Sequence, residues 1–126
     1  MGKQGFRGLR VWQEAKVLAV DIYAATRSSA ELGRDFSLRD QMQRSAVSIC
    51  SNIAESDERD SDKDAVRFFY IAKGSAAELI TQLEIARDAG LLAAAVAEPL
   101  IERSEMVSRK LGALIQARKP SSPSRP

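Results

Sequence analysis

A chain of 126 residues, with 44% apolar side chains, one cysteine and no histidine, is long enough for one domain with its own core. The lack of histidine excludes Ser–His and Cys–His nucleophile pairs and histidine-based metal centres, and the single Cys50 excludes an internal disulfide. The net charge of +2 is too small to indicate a nucleic-acid-binding protein by itself.

The cellular location is inferred from what the sequence lacks. The first ten residues contain no apolar core of a secretory signal, and no apolar run approaches the roughly 20 residues of a membrane span. A lone cysteine is typical of proteins in a reducing compartment. We therefore expect a cytoplasmic protein with no membrane association. Because the sequence contains no cofactor-binding motif, we also expect no cofactor.

The first helix is predicted from residue 9 to residue 28, after a Gly-rich, flexible N-terminus of residues 1–8. Its apolar positions alternate in steps of four and three, the spacing of a helix that packs along a seam. These positions are Val11, Ala15, Leu18, Ile22 and Ala25. A turn is expected at Ser28, Ser29 and Gly33.

The second helix is expected to begin near Ser37 as its N-cap, with Asp40 completing a variant of the capping box. Its apolar stripe comprises Leu38, Met42, Ala46, Ile49 and Ile53. A second stripe of smaller residues predicts another packing partner, at the bundle centre or at a subunit contact; it comprises Val47, Cys50 and Ala54. The charged run 56–61 predicts a connector, and Ser61 is a suitable N-cap for the next helix.

The third helix has the most regular spacing, through Ala65, Phe69, Ala72, Ala76, Leu79, Leu83, Ala86 and Gly90. Gly74 in its middle costs on the order of 1 kcal/mol relative to Ala, which indicates close approach by a partner helix or a kink. Gly90 is expected to end the helix.

The fourth helix starts either near Glu98 or near Ala93 with a bend at Pro99, because proline is accommodated best in a first turn. Residues 119–126 are expected to be a disordered Pro/Ser tail. The sequence thus predicts an all-α protein in which residues 9–118 form an up-down-up-down antiparallel four-helix bundle.

Polar side chains interrupt the apolar stripes of the second and third helices. We predict a hydrogen-bonded polar layer or a subunit interface formed by Arg44, Ser48, Asn52, Glu55, Arg67, Ser75, Glu78 and Gln82. Acid–base catalysis by Glu55 and Glu78 would need a deep pocket around both carboxylates. Because no nucleophile, phosphate loop or metal-ligand motif accompanies them, we expect no enzyme activity and no metal site.

Both ends of the chain are basic and the middle is acidic. If the first and last helices are neighbours, their outer surfaces form one basic side. The candidate phosphate-binding residues are Lys16, Arg27, Arg109, Lys110 and Arg118. The arginines beside the connector, Arg44, Arg59 and Arg67, are instead expected to pair with the acidic residues Asp57, Glu58, Asp60 and Asp64, across the turn or between subunits, and to be solvated otherwise.

Four blocks of the sequence resemble one known family: VWQEAKVLAVDIY, RSAVSICSNIAES, DAVRFFYIAKGSAAELITQL and SRKLGALI. In order and spacing, over residues 6 to about 116, they are similar to the S23-type four-helix-bundle proteins, which are encoded in intervening sequences of bacterial 23S ribosomal RNA genes. The accessory variability proteins of diversity-generating retroelements look like distant relatives. Cys50 and Ser56 depart from the family pattern, which commonly has Pro and Gly there.

The resemblance implies a bacterial homo-oligomer, a pentamer around a central channel, without catalytic activity. For the accessory relatives it implies binding of nucleic acid and of a reverse transcriptase. We therefore expect a non-enzymatic, self-assembling scaffold that binds RNA or DNA through its basic face. The alternative is a protein–protein interaction module without nucleic-acid binding.

Overall fold

The computed structural model describes residues 5–119, and within them it contains five α-helices and no β-strand. A 3-10 turn over Gly5–Gly8 precedes the helices. The helices are α1 (Arg10–Ser28), α2 (Ala30–Arg34), α3 (Phe36–Asp57), α4 (Asp62–Asp88) and α5 (Ala94–Arg118). The predicted all-α class is confirmed. Residues 1–4 and 120–126, where a flexible start and a disordered tail are expected, lie outside the described residues.

The four long helices pack as a bundle, with short connections that reverse the chain direction. Both α1 and α4 pack against α3 and α5, so that α1 and α4 occupy opposite corners. None of the helices within residues 5–119 is long and apolar enough to cross a lipid bilayer.

The predicted apolar stripes form the core. Every member of the α1 stripe is buried, and so is every member of the α4 stripe from Ala65 to Ala86. The second, smaller-residue stripe of α3 is not part of this core, because Val47 is 41% exposed and both Cys50 and Ala54 are only half-buried. One side of α3 therefore has apolar surface that the bundle does not cover.

The start of α3 differs from the sequence prediction. Its N-cap is Asp35, whose Oδ1 accepts the backbone N–H of Leu38 at 3.1 Å, so the predicted cap at Ser37 is wrong. The short helix α2, capped by Ser29 and anchored by the buried Leu32, occupies the predicted turn and brings Asp35 to the start of α3. Ser37 lies inside the first turn, where its hydroxyl accepts a hydrogen bond from Gln41 at 3.1 Å.

Two other helix boundaries agree with the prediction. Ser61 caps α4 and accepts the N–H of Asp64 at 3.2 Å, although α3 continues to Asp57 and shortens the expected connector. Gly90 ends α4 with φ = 76°, and the next N–H, of Leu91, donates to the carbonyl of Ala86 at 2.8 Å. This is the Schellman arrangement that a C-terminal glycine allows.

The helix α5 begins at Ala94, so the alternative start near Glu98 is wrong. Pro99 lies inside the helix on its exposed side, while Ala97 and Leu100 are buried. Proline removes the amide that would bond the carbonyl of Ala95, and Ala95 is itself exposed. Water can satisfy that carbonyl, and burial of the flanking residues holds the helix together.

Candidate functional site

The polar layer between α3 and α4 is centred on two serines. The hydroxyl oxygens of Ser48 and Ser75 lie 2.8 Å apart. The side-chain amide of Asn52 donates to the carbonyl oxygen of Ser48 at 2.8 Å and to its hydroxyl oxygen at 3.0 Å. Three of the eight residues predicted for the layer therefore meet in one network, which links the two helices.

Two more of the predicted residues, Glu55 and Arg67, lie near the half-buried Phe68: Arg67 contacts its ring, and Glu55 is linked to it through Arg59. Glu55 forms an ion pair with Arg59 one turn further along, so Arg59 does not pair with the connector acids as expected. The guanidinium carbons of Arg59 and Arg67 lie 4.8 and 5.1 Å from the centre of the Phe68 ring. Arg67 forms no ion pair within residues 5–119, and its guanidinium lies against this aromatic ring.

The remaining members line a surface groove of about 540 Å³ between α3 and α4. Arg44, Glu78 and Gln82 all reach this groove, and the Oε1 atom of Gln82 is buried there without a hydrogen-bond partner in the described part of the chain. Glu55 is not among the lining residues, so the two candidate carboxylates do not share a pocket. Between residues 5 and 119, no three metal-ligating side chains come together.

The α1–α5 seam neutralises part of the predicted basic side. Lys110 Nζ lies 2.7 and 2.6 Å from the two carboxylate oxygens of Glu14, and Arg103 lies 2.8 Å from a carboxylate oxygen of Asp21. The helices α1 and α5 are neighbours, which meets the condition set for one basic side, but acidic residues of α1 lie against cations of α5. Sequence reasoning missed Glu14 and Asp21 as partners, because no local signal connects residues this far apart.

The other four phosphate-binding candidates each contact a different side chain. Lys16 lies over Trp12 at 5.4 Å, Arg27 over Tyr23 at 5.7 Å and Arg118 over Phe69 at 5.3 Å, measured to the ring centres. Arg109 is exposed beside the sulfur of Met106 at 3.9 Å. The five candidates therefore contact five different side chains, two of the candidates lying on α1 and three on α5.

One surface of α1 carries cations without acids. The α1 outer face comprises Arg10, Gln13, Lys16, Val17, Val20, Ala24 and Arg27, which are all exposed. Val17 and Val20 are 54% and 59% exposed. None of the three cations of this face forms an ion pair with a carboxylate of residues 5–119. The two acids of α1 turn instead toward α5, so the α1 outer face is basic with an apolar centre.

From Gly74 to its C-terminal end, the exposed surface of α4 has the opposite character; nearer its start, the exposed residues include Lys63 and Arg67. The α4 outer face comprises Gly74, Ala77, Glu78, Thr81, Glu84, Ile85 and Asp88, which are all exposed, and contains no cation. Ile85 is 50% exposed. A Cβ atom added to Gly74 would meet nothing within 4 Å, so packing within residues 5–119 does not require glycine there.

The three acids of the α4 outer face differ in whether they have a cationic partner. Asp88 accepts a hydrogen bond from Arg87 at 2.8 Å, which lowers the pKa of its carboxyl group. Glu78 and Glu84 form no ion pair in the part of the chain that the structure describes. The α4 outer face therefore keeps two carboxylates without a cationic partner.

Comparison with known proteins identifies the family. The sequence model of the 23S rRNA-intervening sequence proteins matches residues 7–113. The chain belongs to this family. A crystal structure of a protein of unknown function from the S23 ribosomal protein family of Bacteroides thetaiotaomicron has a similar fold, with a TM-score of 0.76 and 24% sequence identity. The similarity covers 84% of this family member and 98% of the Bacteroides chain, and the comparison with curated proteins gives no match.

Proposed function

We propose that this 23S rRNA-intervening sequence protein is a non-enzymatic helical scaffold that assembles with copies of itself, as a pentamer. The supporting observation is Gly74, which lies in mid-helix on an exposed face with open space around it. Glycine destabilises a helix interior relative to alanine by roughly 0.5–1 kcal/mol, and packing within the described bundle does not offset that cost. Close approach by another copy would offset it.

The geometry of the carboxylates also supports a role without catalysis. Glu55 is engaged by Arg59, whereas Glu78 is exposed at the rim of a surface groove. General acid–base catalysis requires a positioned group within hydrogen-bond reach of a bound substrate, usually in a cleft that excludes water. Neither carboxylate has such a setting.

Light scattering coupled to size-exclusion chromatography tests the proposal. We expect a mass of five times the 13.8 kDa of one chain, unchanged over a tenfold dilution. A mass of 13.8 kDa at every concentration would contradict self-assembly. A discrete oligomer with another number of subunits would support self-assembly but contradict the pentamer.

Nucleic-acid binding is the second candidate function, and the cations of the α1 outer face favour it. A gel shift with RNA and duplex DNA at several salt concentrations is the test, because each phosphate contact on B-DNA contributes about −0.9 to the slope of log K against log salt. We expect the double substitution Lys16→Ala and Arg27→Ala to make this slope less negative. Lys110→Ala is the control, since Lys110 is already paired with Glu14. No shift at low salt removes this candidate.

The third possibility is a module that recognises an unrelated protein. The partner predicted for such a module is a reverse-transcriptase-like protein. The exposed apolar side chains on α1 and α4 would serve such a partner as well as a second copy. Affinity purification after nuclease treatment distinguishes self-assembly from recognition of a different protein. If the protein assembles with itself, a tagged chain co-purifies with untagged copies of the same chain. Stoichiometric recovery of one different protein, together with a monomeric free chain, would favour the module.

A further inference from the structure

The α1 and α4 outer faces have the same spacing. On α1, Gln13, Val17, Val20, Ala24 and Arg27 follow one another in steps of four and three. On α4, Gly74, Glu78, Thr81, Ile85 and Asp88 do so as well. Each stripe spans 14 residue steps, about 21 Å at 1.5 Å per residue. This alternation is the signature of a helix surface that packs along another helix.

The two faces are complementary in charge. The α1 outer face contains three cations and no acid. The α4 outer face contains three acids and no cation. Among the described residues Glu78 and Glu84 form no ion pair, whereas Asp88 is hydrogen-bonded to Arg87. The exposed Arg67 lies seven residues before the face begins. Pairing either face with its own copy would bring like charges together, which costs several kcal/mol across an interface. Pairing one with the other brings opposite charges together.

The two faces are also complementary in shape and polarity. Val17 and Val20 project from the centre of the α1 outer face, and the α4 outer face offers the small residues Gly74 and Ala77 beside the exposed Ile85. Small residues let the backbones of two helices approach closely. The apolar centre favours a protein helix over a phosphate backbone as the occupant of the α1 outer face.

We infer that the α1 outer face of one copy docks on the α4 outer face of the next copy, an inference that rests on the self-association proposed above. Because α1 and α4 lie at opposite corners of the bundle, one copy uses the two faces on two different neighbours. The contact is therefore head-to-tail. Such contacts generate closed rings when the rotation between copies closes, and filaments when it does not.

Charge reversal tests this contact. In one variant Lys16→Glu and Arg27→Glu make the α1 outer face acidic; in another Glu78→Lys and Glu84→Lys make the α4 outer face basic. Each variant places like charges across the contact, so we expect the association constant at low salt to fall about a hundredfold. Combining all four substitutions in one chain restores opposite charges, and we expect assembly to return to within about tenfold of the unmodified protein.

The control variant reverses two exposed charges outside both faces, Glu102→Lys and Arg109→Glu on α5, and is expected to assemble as the unmodified protein does. Circular dichroism and thermal melting check that every variant folds, which is expected because all the substituted side chains are exposed. Association is measured by light scattering and analytical ultracentrifugation.

Three outcomes separate this inference from the proposed function. If the unmodified protein is a monomer, self-assembly itself fails and the inference fails with it. If the unmodified protein assembles and either reversed variant keeps the same mass, scaffold assembly stands but these two faces do not meet. If the α1 variant assembles normally and loses only nucleic-acid binding, the α1 outer face is a phosphate-binding surface and the inference is overturned.

Discussion

Lys110 Nζ lies within 2.7 Å of both carboxylate oxygens of Glu14, so that a residue of α5 is tied to one of α1 across 96 positions of sequence. Both side chains are 37% exposed, which places the pair at the edge of the core. The seam contains a second pair of the same polarity, Arg103 with Asp21. Cations that give the sequence its basic ends are thus used to join the first and last helices.

The Glu14–Lys110 pair should contribute modestly to stability. A double-mutant cycle of Glu14→Gln and Lys110→Met is expected to give a coupling energy of about 0.2–1 kcal/mol, the usual range for partly exposed pairs. The coupling should decrease at high salt, because ions screen exposed charges. Urea unfolding at one fixed protein concentration measures it, with Arg109→Met as an exposed control lacking a carboxylate partner. Zero coupling at low salt would mean that the pair does not join the helices energetically.

Ala76 and Ala77 are adjacent in α4 but face opposite environments. Ala76 is completely buried, so Ala76→Phe should destabilise the fold by about 1–3 kcal/mol or more, because a packed core has no room for a phenyl ring. Ala77 is exposed in the single chain, so at protein concentrations too low for association Ala77→Phe should change the unfolding free energy by no more than about 0.5 kcal/mol. Denaturant titrations at matched low protein concentration, where association contributes least, compare the two. Equal effects of both substitutions would contradict the burial pattern of α4.

The two glycines of the α4 region should respond to alanine with opposite signs. Gly90 has a φ of 76°, where an L-residue is strained by roughly 1–2 kcal/mol, so Gly90→Ala should destabilise the protein. Gly74 has open space for a Cβ, and Gly74→Ala should stabilise the isolated chain by about 0.5–1 kcal/mol. Thermal melts at low concentration, where association contributes least, test both. A loss of stability from Gly74→Ala would indicate that another copy of the chain packs closely against Gly74.

Cys50 should react slowly in the folded protein. Burial raises the pKa of the Cys50 thiol and outweighs the opposing effects of a backbone hydrogen bond and of the Lys16 charge, so the reactive thiolate is scarce at neutral pH. Iodoacetamide should label the native protein more slowly than the urea-unfolded chain. Labelling at equal rates in the two states would show that the thiol is not shielded by the fold.

The same shift predicts how stability depends on pH. A thiol whose pKa is higher in the folded than in the unfolded state favours folding while it is protonated, and this contribution is lost as the pH rises through the folded-state pKa. The free energy of unfolding should therefore decline above roughly pH 8.5, the thiol's ordinary pKa. Cys50→Ala should lack this component of the decline, and an unchanged profile in that variant would contradict it.

Much of the fold was accessible from local pattern. The four–three spacing of Ala15, Leu18 and Ile22 identified a buried face because one helix imposes that period on its own side chains. Ser61 and Gly90 identified helix ends because capping is a contact within one turn. The predicted cap at Ser37 is wrong because α2 ends at Arg34, which makes Asp35 the N-cap of α3. A five-residue helix has too little periodicity to be recognised, and its stability depends on burying Leu32.

Local sequence pattern predicts the four long helices but not α2, identifies the apolar faces that form the core, and excludes histidine- and disulfide-based chemistry. The packing of the helices brings Glu14 to Lys110 and leaves Val17 and Gly74 on surfaces that the bundle does not cover, and no local pattern predicts either result. The reason is physical: helical periodicity arises from neighbours three or four residues apart, whereas charge pairing and exposure depend on how helices distant in sequence are placed around the core.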